Sequence, residues 1–150
     1  MPHFMIVVSP YYKEVSNNLL EGAKSAFDDV RATYEIFEVS GALEIPTAIK
    51  YGILRKEAHG VNNMKFDGFV ALGCIIRGET SHYDIVCNVS ANGLSQLSLE
   101  HDAPIGNGIL TCDTMEQAIV RADPKQKNKG AVAVNAALGL FNIKRALNVR

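Results

Sequence analysis

The chain predicts an α/β sandwich, a parallel sheet of about four strands with helices on both faces, and three observations carry that expectation. Short, β-branched apolar runs alternate with segments whose apolar residues recur every three or four positions. One run, Phe69-Val70-Ala71-Leu72-Gly73-Cys74-Ile75-Ile76, is apolar at nearly every position, as a central parallel strand buried on both faces must be. Prolines, glycines and capping residues mark the changes of period.

Taken in order, Phe4-Met5-Ile6-Val7-Val8 reads as a buried strand that breaks at Ser9-Pro10. Val15, Leu19, Leu20, Ala23 and Phe27 then keep a helical spacing. Thr33 to Val39 is a second strand, ended by Ser40-Gly41, and Pro46 stands where a first helical turn tolerates proline. The helix after it sets Ala48, Ile49, Ile53 and Leu54 on one face and is expected to stop near Gly60. Val61 to Lys65 is a polar connection, and Asp67 to Ile76 is the central strand. Arg77 to Ser81 is a polar turn, followed by a long helix to about Glu100 that places His82 one turn in. Pro104 to Thr111 gives a fourth strand, and Thr114-Met115-Glu116-Gln117 matches a capping box opening a short helix. Asp123 to Asn128 interrupts, and a last helix runs from about Gly130 to Asn148. The expected connections are right-handed crossovers.

At 150 residues the chain suits a single domain, 1–150, with no repeat, linker or low-complexity tract. Fifteen basic against sixteen acidic side chains leave a net charge of -1, which argues against a nucleic-acid binder with a basic face. A hydrophobic content of 47% excludes disorder, and no apolar run is long enough to span a bilayer. Cys74, Cys87 and Cys112 form no C-x-x-C pair and sit among apolar neighbours, so reduced core thiols are expected. The start, Met1-Pro2-His3-Phe4, lacks the features of a signal peptide, and the expected compartment is the cytoplasm.

In open parallel sheets ligands bind beyond the carboxyl ends of the strands. Four segments reach that edge: Ser9 to Tyr12, Ser40 to Glu44, Arg77 to His82, and the stretch after Leu110. In Arg77-Gly78-Glu79-Thr80-Ser81-His82, Gly78 permits a sharp turn whose next amides could cradle a small anion at a helix start. An ordinary Thr/Ser cap is the other reading. His82 could move protons beside such an anion, or be a plain surface histidine. Glu44 with its neighbouring amides suits a polyhydroxylated chain, although a Glu at a helix start is also favoured by the dipole. Tyr11 and Tyr12 could stack on a flat heterocycle or pack over the sheet edge. Arg121, with Lys125, Lys127 and Lys129, forms a local positive cluster that a solvated helix end also explains. His3, His59 and His101 receive no role, and no metal-ligand cluster or Gly-rich nucleotide loop appears.

Gly41-Ala42-Leu43-Glu44-Ile45-Pro46 and the run Ala71-Leu72-Gly73-Cys74-Ile75-Ile76-Arg77-Gly78-Glu79-Thr80-Ser81-His82-Tyr83-Asp84 closely resemble the two signature segments of the lumazine synthase family. Gly108-Ile109-Leu110-Thr111, Glu116-Gln117-Ala118 with Arg121-Ala122, and Asn128-Lys129-Gly130 are similar to its third block. The matches keep the family's order from Ile6 to about Leu138.

The resemblance implies a three-layer, flavodoxin-like fold. It also implies condensation of 5-amino-6-(D-ribitylamino)uracil with 3,4-dihydroxy-2-butanone 4-phosphate, the penultimate step of riboflavin biosynthesis. By position, His82 would transfer protons beside the phosphate, which the Glu79 and Thr80 amides and the Arg121 side chain would hold, with Lys129 nearby. Glu44 and the backbone of Ala42 and Leu43 would bind the ribityl chain. Tyr11 would stack on the pyrimidine, whose edge would meet the backbone of Cys74, Ile75 and Ile76. The pyrimidine brings its own amine, so no Lys or Ser nucleophile, metal or organic cofactor is implied.

There are departures from the family pattern. The first loop reads Pro10-Tyr11-Tyr12 where members carry Arg-aromatic-Asn, and Asn107 stands where a neighbouring subunit lends an aromatic residue to the site. Val132 replaces a common acidic residue, and Ala58 to Lys65 is longer than usual. The rival readings are a flavodoxin-like flavin carrier and a paralogue kept as a scaffold. Ser9-Pro10-Tyr11-Tyr12-Lys13 is not a flavodoxin phosphate loop, which counts against the first. The resemblance further implies a homopentamer with shared active sites. Only three residues precede the first core strand, and Pro124, Lys125 and Lys127 crowd the stretch between pentamers, so a free pentamer is expected over an icosahedral 60-mer.

Overall fold

The computed structural model describes residues 1–55 and 65–150. Its strands are β1 (His3–Val8), β2 (Thr33–Glu38), β3 (Gly68–Ile76) and β4 (Ile105–Cys112). Its helices are α1 (Lys13–Asp29), α2 (Ile45–Ile53), α3 (His82–His101), α4 (Met115–Ala122) and α5 (Lys129–Ala146). A 3₁₀ turn, Ala42–Glu44, leads into α2. The strands form one parallel sheet in the order β2-β1-β3-β4.

The alternation of side chains along each strand divides the core in two. Phe4, Ile6 and Val8 of β1 and Val70 and Leu72 of β3 point to the layer of α1, α4 and α5, where they meet Val15, Leu19, Phe27 and Val134. Met5, Val7, Phe69, Ala71 and Ile75 point the other way, toward Ile45 and Ile49 of α2 and Val86 and Leu94 of α3. Burial on both faces is why β3 reads as an unbroken apolar run. Among the described residues the edge strand β2 pairs with β1 alone, and Ile36 and Phe37 are exposed. On the other side, α5 presses onto β4 at Gly106, where a Cβ would overlap the Ala133 carbonyl oxygen and lie 2.8 Å from its carbon.

Most element boundaries agree with the expectation within a residue or two. Helix α2 does not: it ends at Ile53, so Leu54 is an exposed C-cap residue, and Ile45 and Gly52 are buried with Ile49 instead. The expected stop at Gly60, His59, the polar connection 61–64 and most of the long stretch from Ala58 lie outside the described residues. The cap of α4 forms with one change. The Thr114 hydroxyl accepts from Gln117 N at 3.2 Å, but the Gln117 side chain reaches back to Asp113 N at 2.8 Å rather than to Thr114.

His3, given no role from sequence, ties together the amino ends of three strands. Its N–H donates to Asp67 Oδ2 at 2.8 Å, and its ring nitrogens lie 2.7 Å from Thr33 Oγ1 and Glu35 Oε2. Arg55 Nη1 donates to the same Glu35 oxygen at 2.8 Å. Burial pushes the Glu35 carboxyl up, but the hydrogen bonds from His3 and Arg55 outweigh it and hold the group below the usual carboxylate range. No described helix is long and apolar enough to cross a membrane.

Candidate active site

At the carboxyl edge of the sheet a cavity of about 360 Å³ opens among four chain segments. Ser9, Tyr11 and Tyr12 come from the β1–α1 loop, and Ser40 to Glu44 from the β2–α2 connection. Cys74, Ile75 and Ile76 end β3, and His82 and Val86 open α3. The two tyrosines behave differently. Tyr12 packs against the apolar core beneath α1, and burial, with Cys74 and Tyr11 beside it, pushes its phenol up. Tyr11 is 74% exposed, its ring edge-on to that of Tyr12 at 4.9 Å between centroids. Both rings line the cavity, and Tyr11 is the more exposed of the two.

Glu44 closes the 3₁₀ turn, its N–H donating to the Gly41 carbonyl at 3.2 Å. The Ser40 hydroxyl donates to Glu44 Oε1 at 2.9 Å, which fixes the carboxylate in the cavity wall and leaves Oε2 for another donor. Sequence reasoning placed the segments Ser9 to Tyr12 and Ser40 to Glu44 at this edge but gave Ser9 and Ser40 no role, and it did not reach Val86. The four-residue step from Ser40 to Glu44 was the available signal for Ser40. Cys74 lines the cavity half-buried, next to Cys112, and its thiol is pushed up to about 12, first by burial and then by that neighbour. Cys74, Cys87 and Cys112 are all unpaired, and Cys112 is buried.

The turn after β3 is built from both ends. Arg77 N–H donates to the Cys112 carbonyl at 2.9 Å, and Thr80 Oγ1 accepts from His82 N at 3.3 Å. Ser81, the N-cap of α3, makes no side-chain cap. Helix α3 starts at His82 itself, so this exposed imidazole stands at the helix mouth rather than one turn in, and it faces the cavity. Gly78 is not in the left-handed region, and a Cβ there would meet no atom within 4 Å. Neither a sharp turn nor crowding requires a glycine at that point.

Eight of the residues singled out from sequence therefore share one cavity: Tyr11, Ala42, Leu43, Glu44, Cys74, Ile75, Ile76 and His82. Glu79 and Thr80 lie exposed in the adjoining turn. Three others stand apart from the cavity of their own chain. Arg121 is half-buried on α4, its Nη1 donating to the Gln117 carbonyl at 3.1 Å. Lys129 is the first residue of α5, and the residue before it, Asn128, adopts the left-handed conformation with φ 48°. Asn107 is exposed on β4, its Oδ1 accepting from Ile109 N at 2.9 Å, and it edges a hollow lined by Ser95 and Leu99 of α3.

Comparison with known proteins is consistent across the chain. The family model described as 6,7-dimethyl-8-ribityllumazine synthase matches residues 2–145. Proteins named 6,7-dimethyl-8-ribityllumazine synthase are similar over nearly the full length. The one from Methylorubrum populi is 49% identical over 97% of this chain and 84% of its own. That from Agrobacterium fabrum is 45% identical over 97% of both chains, and that from Zymomonas mobilis 44% identical over 99% of this chain and all of its own.

Proposed function

The chain belongs to the 6,7-dimethyl-8-ribityllumazine synthase family, and we propose that its strand-end cavity is the larger part of the active site. The reaction joins 5-amino-6-(D-ribitylamino)uracil to 3,4-dihydroxy-2-butanone 4-phosphate and releases phosphate and water. The observation that carries the assignment of the site is the meeting of Tyr11, Glu44, the end of β3 and His82 around one cavity of about 360 Å³. Those groups match the parts of the pyrimidine substrate: a face to stack on, hydroxyls to accept from, and a heterocyclic edge to pair with backbone.

In this reading Tyr11 covers the pyrimidine, whose edge meets the backbone of Cys74 to Ile76. Glu44, steadied by Ser40, accepts hydrogen bonds from the ribityl hydroxyls, with the backbone of Ala42 and Leu43 beside it. The turn at Gly78, Glu79 and Thr80 receives the phosphate of the second substrate. The amine of the pyrimidine attacks the ketone, so the protein orients, neutralises charge and moves protons. His82 carries the protons, being at the helix mouth between cavity and turn.

The remaining groups come from a neighbour. Arg121, Lys129 and Asn107 lie outside the cavity of their own chain, which supports an arrangement in which each subunit completes the next one's site. The assembly proposed is a homopentamer. Ile85, Val89 and Leu99 on α3 and Val132, Leu140 and Ile143 on α5 are exposed in the single chain and supply apolar surface for such contacts. Exposed Lys125 and Lys127 after α4 favour a free pentamer over a 60-subunit shell, because like charge repeated about a symmetry axis repels. The three free thiols support a reducing, cytoplasmic setting.

Mixing purified protein with both substrates tests the activity: a fluorescent lumazine is expected, and its absence would leave the scaffold reading standing. Light scattering at near-physiological salt tests the assembly, and hollow particles of megadalton mass would overturn the free pentamer.

A further inference from the structure

One polar cluster beside the active site has no part in the roles above. Arg77 Nε donates to Asp113 Oδ1 at 2.8 Å, and its guanidinium carbon sits 4.4 Å from the centre of the Tyr83 ring. Asp84 Oδ1 lies 3.9 Å from Arg77 Nη1. The Asp113 main chain is held in turn, its N–H donating to Gln117 Oε1 at 2.8 Å, and the Gln117 carbonyl accepts from Arg121 Nη1 at 3.1 Å. A continuous chain of contacts thus runs from the first residue of the phosphate turn to the guanidinium of Arg121.

As an ion pair this cluster contributes little stability, since Arg77 is 51% and Asp113 62% exposed. Its geometry is more specific than its energy. A planar guanidinium that stacks on an aromatic face while donating in its own plane has one orientation, and lysine cannot reproduce it. Arg77 N–H is also bonded to the Cys112 carbonyl, so backbone and side chain of the same residue grip the last residue of β4 and the one after it. The turn that follows, residues 78 to 81, is exposed, with this grip before it and His82, whose N–H donates to Thr80 Oγ1, after it.

We propose that Asp113, acting through Arg77, is a positioning residue for the phosphate-bearing substrate, and that Gln117 keeps the same segment in register with the helix carrying Arg121. The inference rests on the reading that the Gly78–Thr80 turn and Arg121 handle phosphate. If the turn serves one site and Arg121 the neighbour's, a single carboxylate sets parts of two adjacent sites.

The test is steady-state kinetics on Asp113→Ala, Asp113→Glu, Arg77→Lys and, as a control, Arg121→Ala, with titration of inorganic phosphate followed by phosphorus NMR. Asp113→Ala is expected to raise KM for the butanone phosphate about tenfold, the order set by one charge-assisted hydrogen bond, and to weaken phosphate binding in parallel. KM for the ribityl substrate should stay at the wild-type value. Asp113→Glu should show a smaller rise than Asp113→Ala, and Arg77→Lys, which cannot stack on Tyr83 while donating in plane to Asp113, should raise the same KM. An unchanged KM for the butanone phosphate in Asp113→Ala, while Arg121→Ala raises it, would overturn the inference and spare the site reading. If Arg121→Ala also leaves that KM unchanged, the phosphate assignment fails and this inference with it. Should Asp113→Ala not assemble, Asp113→Asn keeps an acceptor for Arg77 and is expected to give a smaller rise in the same KM; no rise would count against the proposal.

Discussion

Gly78→Ala should separate folding from function more cleanly than any other single substitution in this chain. A Cβ at Gly78 meets nothing within 4 Å and the backbone there is open to any residue, so the folded state carries no clash. Removing glycine from the unfolded chain contributes about 0.4–1 kcal/mol in favour of folding. The thermal midpoint should therefore hold or rise slightly. The same methyl group occupies the space through which a phosphate would approach the amides of the turn. Displacing the anion from one charge-assisted hydrogen bond costs about 1.5–3 kcal/mol, or roughly 10- to 100-fold in kcat/KM for the butanone phosphate. Gly106→Ala makes the opposite contrast: its Cβ would collide with the Ala133 carbonyl group, backbone that cannot swing aside. Overpacking of that kind costs about 1–3 kcal/mol or more. For a chain this size that lowers the midpoint by roughly 2–4 °C per kcal/mol, with kinetics of the assembled fraction preserved. Scanning calorimetry and the lumazine fluorescence assay read the two effects separately. A Gly78→Ala enzyme with wild-type KM for the phosphate substrate would refute the idea that a ligand reaches this backbone.

Arg121→Ala should harm turnover more than His82→Ala, because water can stand in for a proton shuttle but not for a cation facing a phosphate dianion. For His82→Ala a loss of about 10- to 100-fold is expected, and a more damaged His82 variant in steady-state kinetics would reverse the ranking. Glu44→Gln should weaken the ribityl substrate and spare the butanone phosphate in separate calorimetric titrations; equal losses for both would mean Glu44 acts through the fold. Cys74, with its thiol pushed up to about 12, should resist iodoacetamide at neutral pH although it lines the cavity, and rapid alkylation seen by mass spectrometry would contradict its burial. Glu35, held low by His3 and Arg55, contributes stability above the pKa it has in the unfolded chain and loses it as pH falls through the lower folded value. Glu35→Gln should accordingly flatten the acid limb of the stability curve, and an unchanged limb in pH-dependent urea melts would count against that pairing.

What could be read from the sequence was local in origin. The run from Phe69 to Ile76, the helical spacing of Val15, Leu19 and Phe27, and the Thr114 cap each depend on a short stretch of chain, and each appears where its pattern sits. Leu54 was misread because nothing local distinguishes the last buried turn of α2 from the residue that caps it. The His3 contacts to Asp67, Thr33 and Glu35 join residues 30 to 64 positions apart, and no single-segment pattern reports them. The site divides the same way. His82 and Glu44 could be argued from residue type at a strand end, but the Ser40 hydrogen bond needed coordinates. Arg121 and Lys129 stood out as part of a positive cluster that a solvated helix end explains equally well, and Asn107 was named through the family resemblance; all three lie outside the cavity of their own chain, so no local pattern ties them to it.

The parallel sheet also bears on how the chain is made. Every pairing is remote: Phe4 aligns with Gly68, Thr33 with His3, and Phe69 with Ile105, so no strand finds its partner until an intervening helix has been synthesised. The segment from Phe4 to Val8, fully buried in the finished molecule, waits for β3 while more than sixty residues leave the ribosome. Nascent chains in that interval present a bare, adhesive ribbon, and slow parallel pairing prolongs it. Yield in a heterologous host should therefore depend on growth temperature and chaperone supply more steeply than the resting stability of the folded protein suggests.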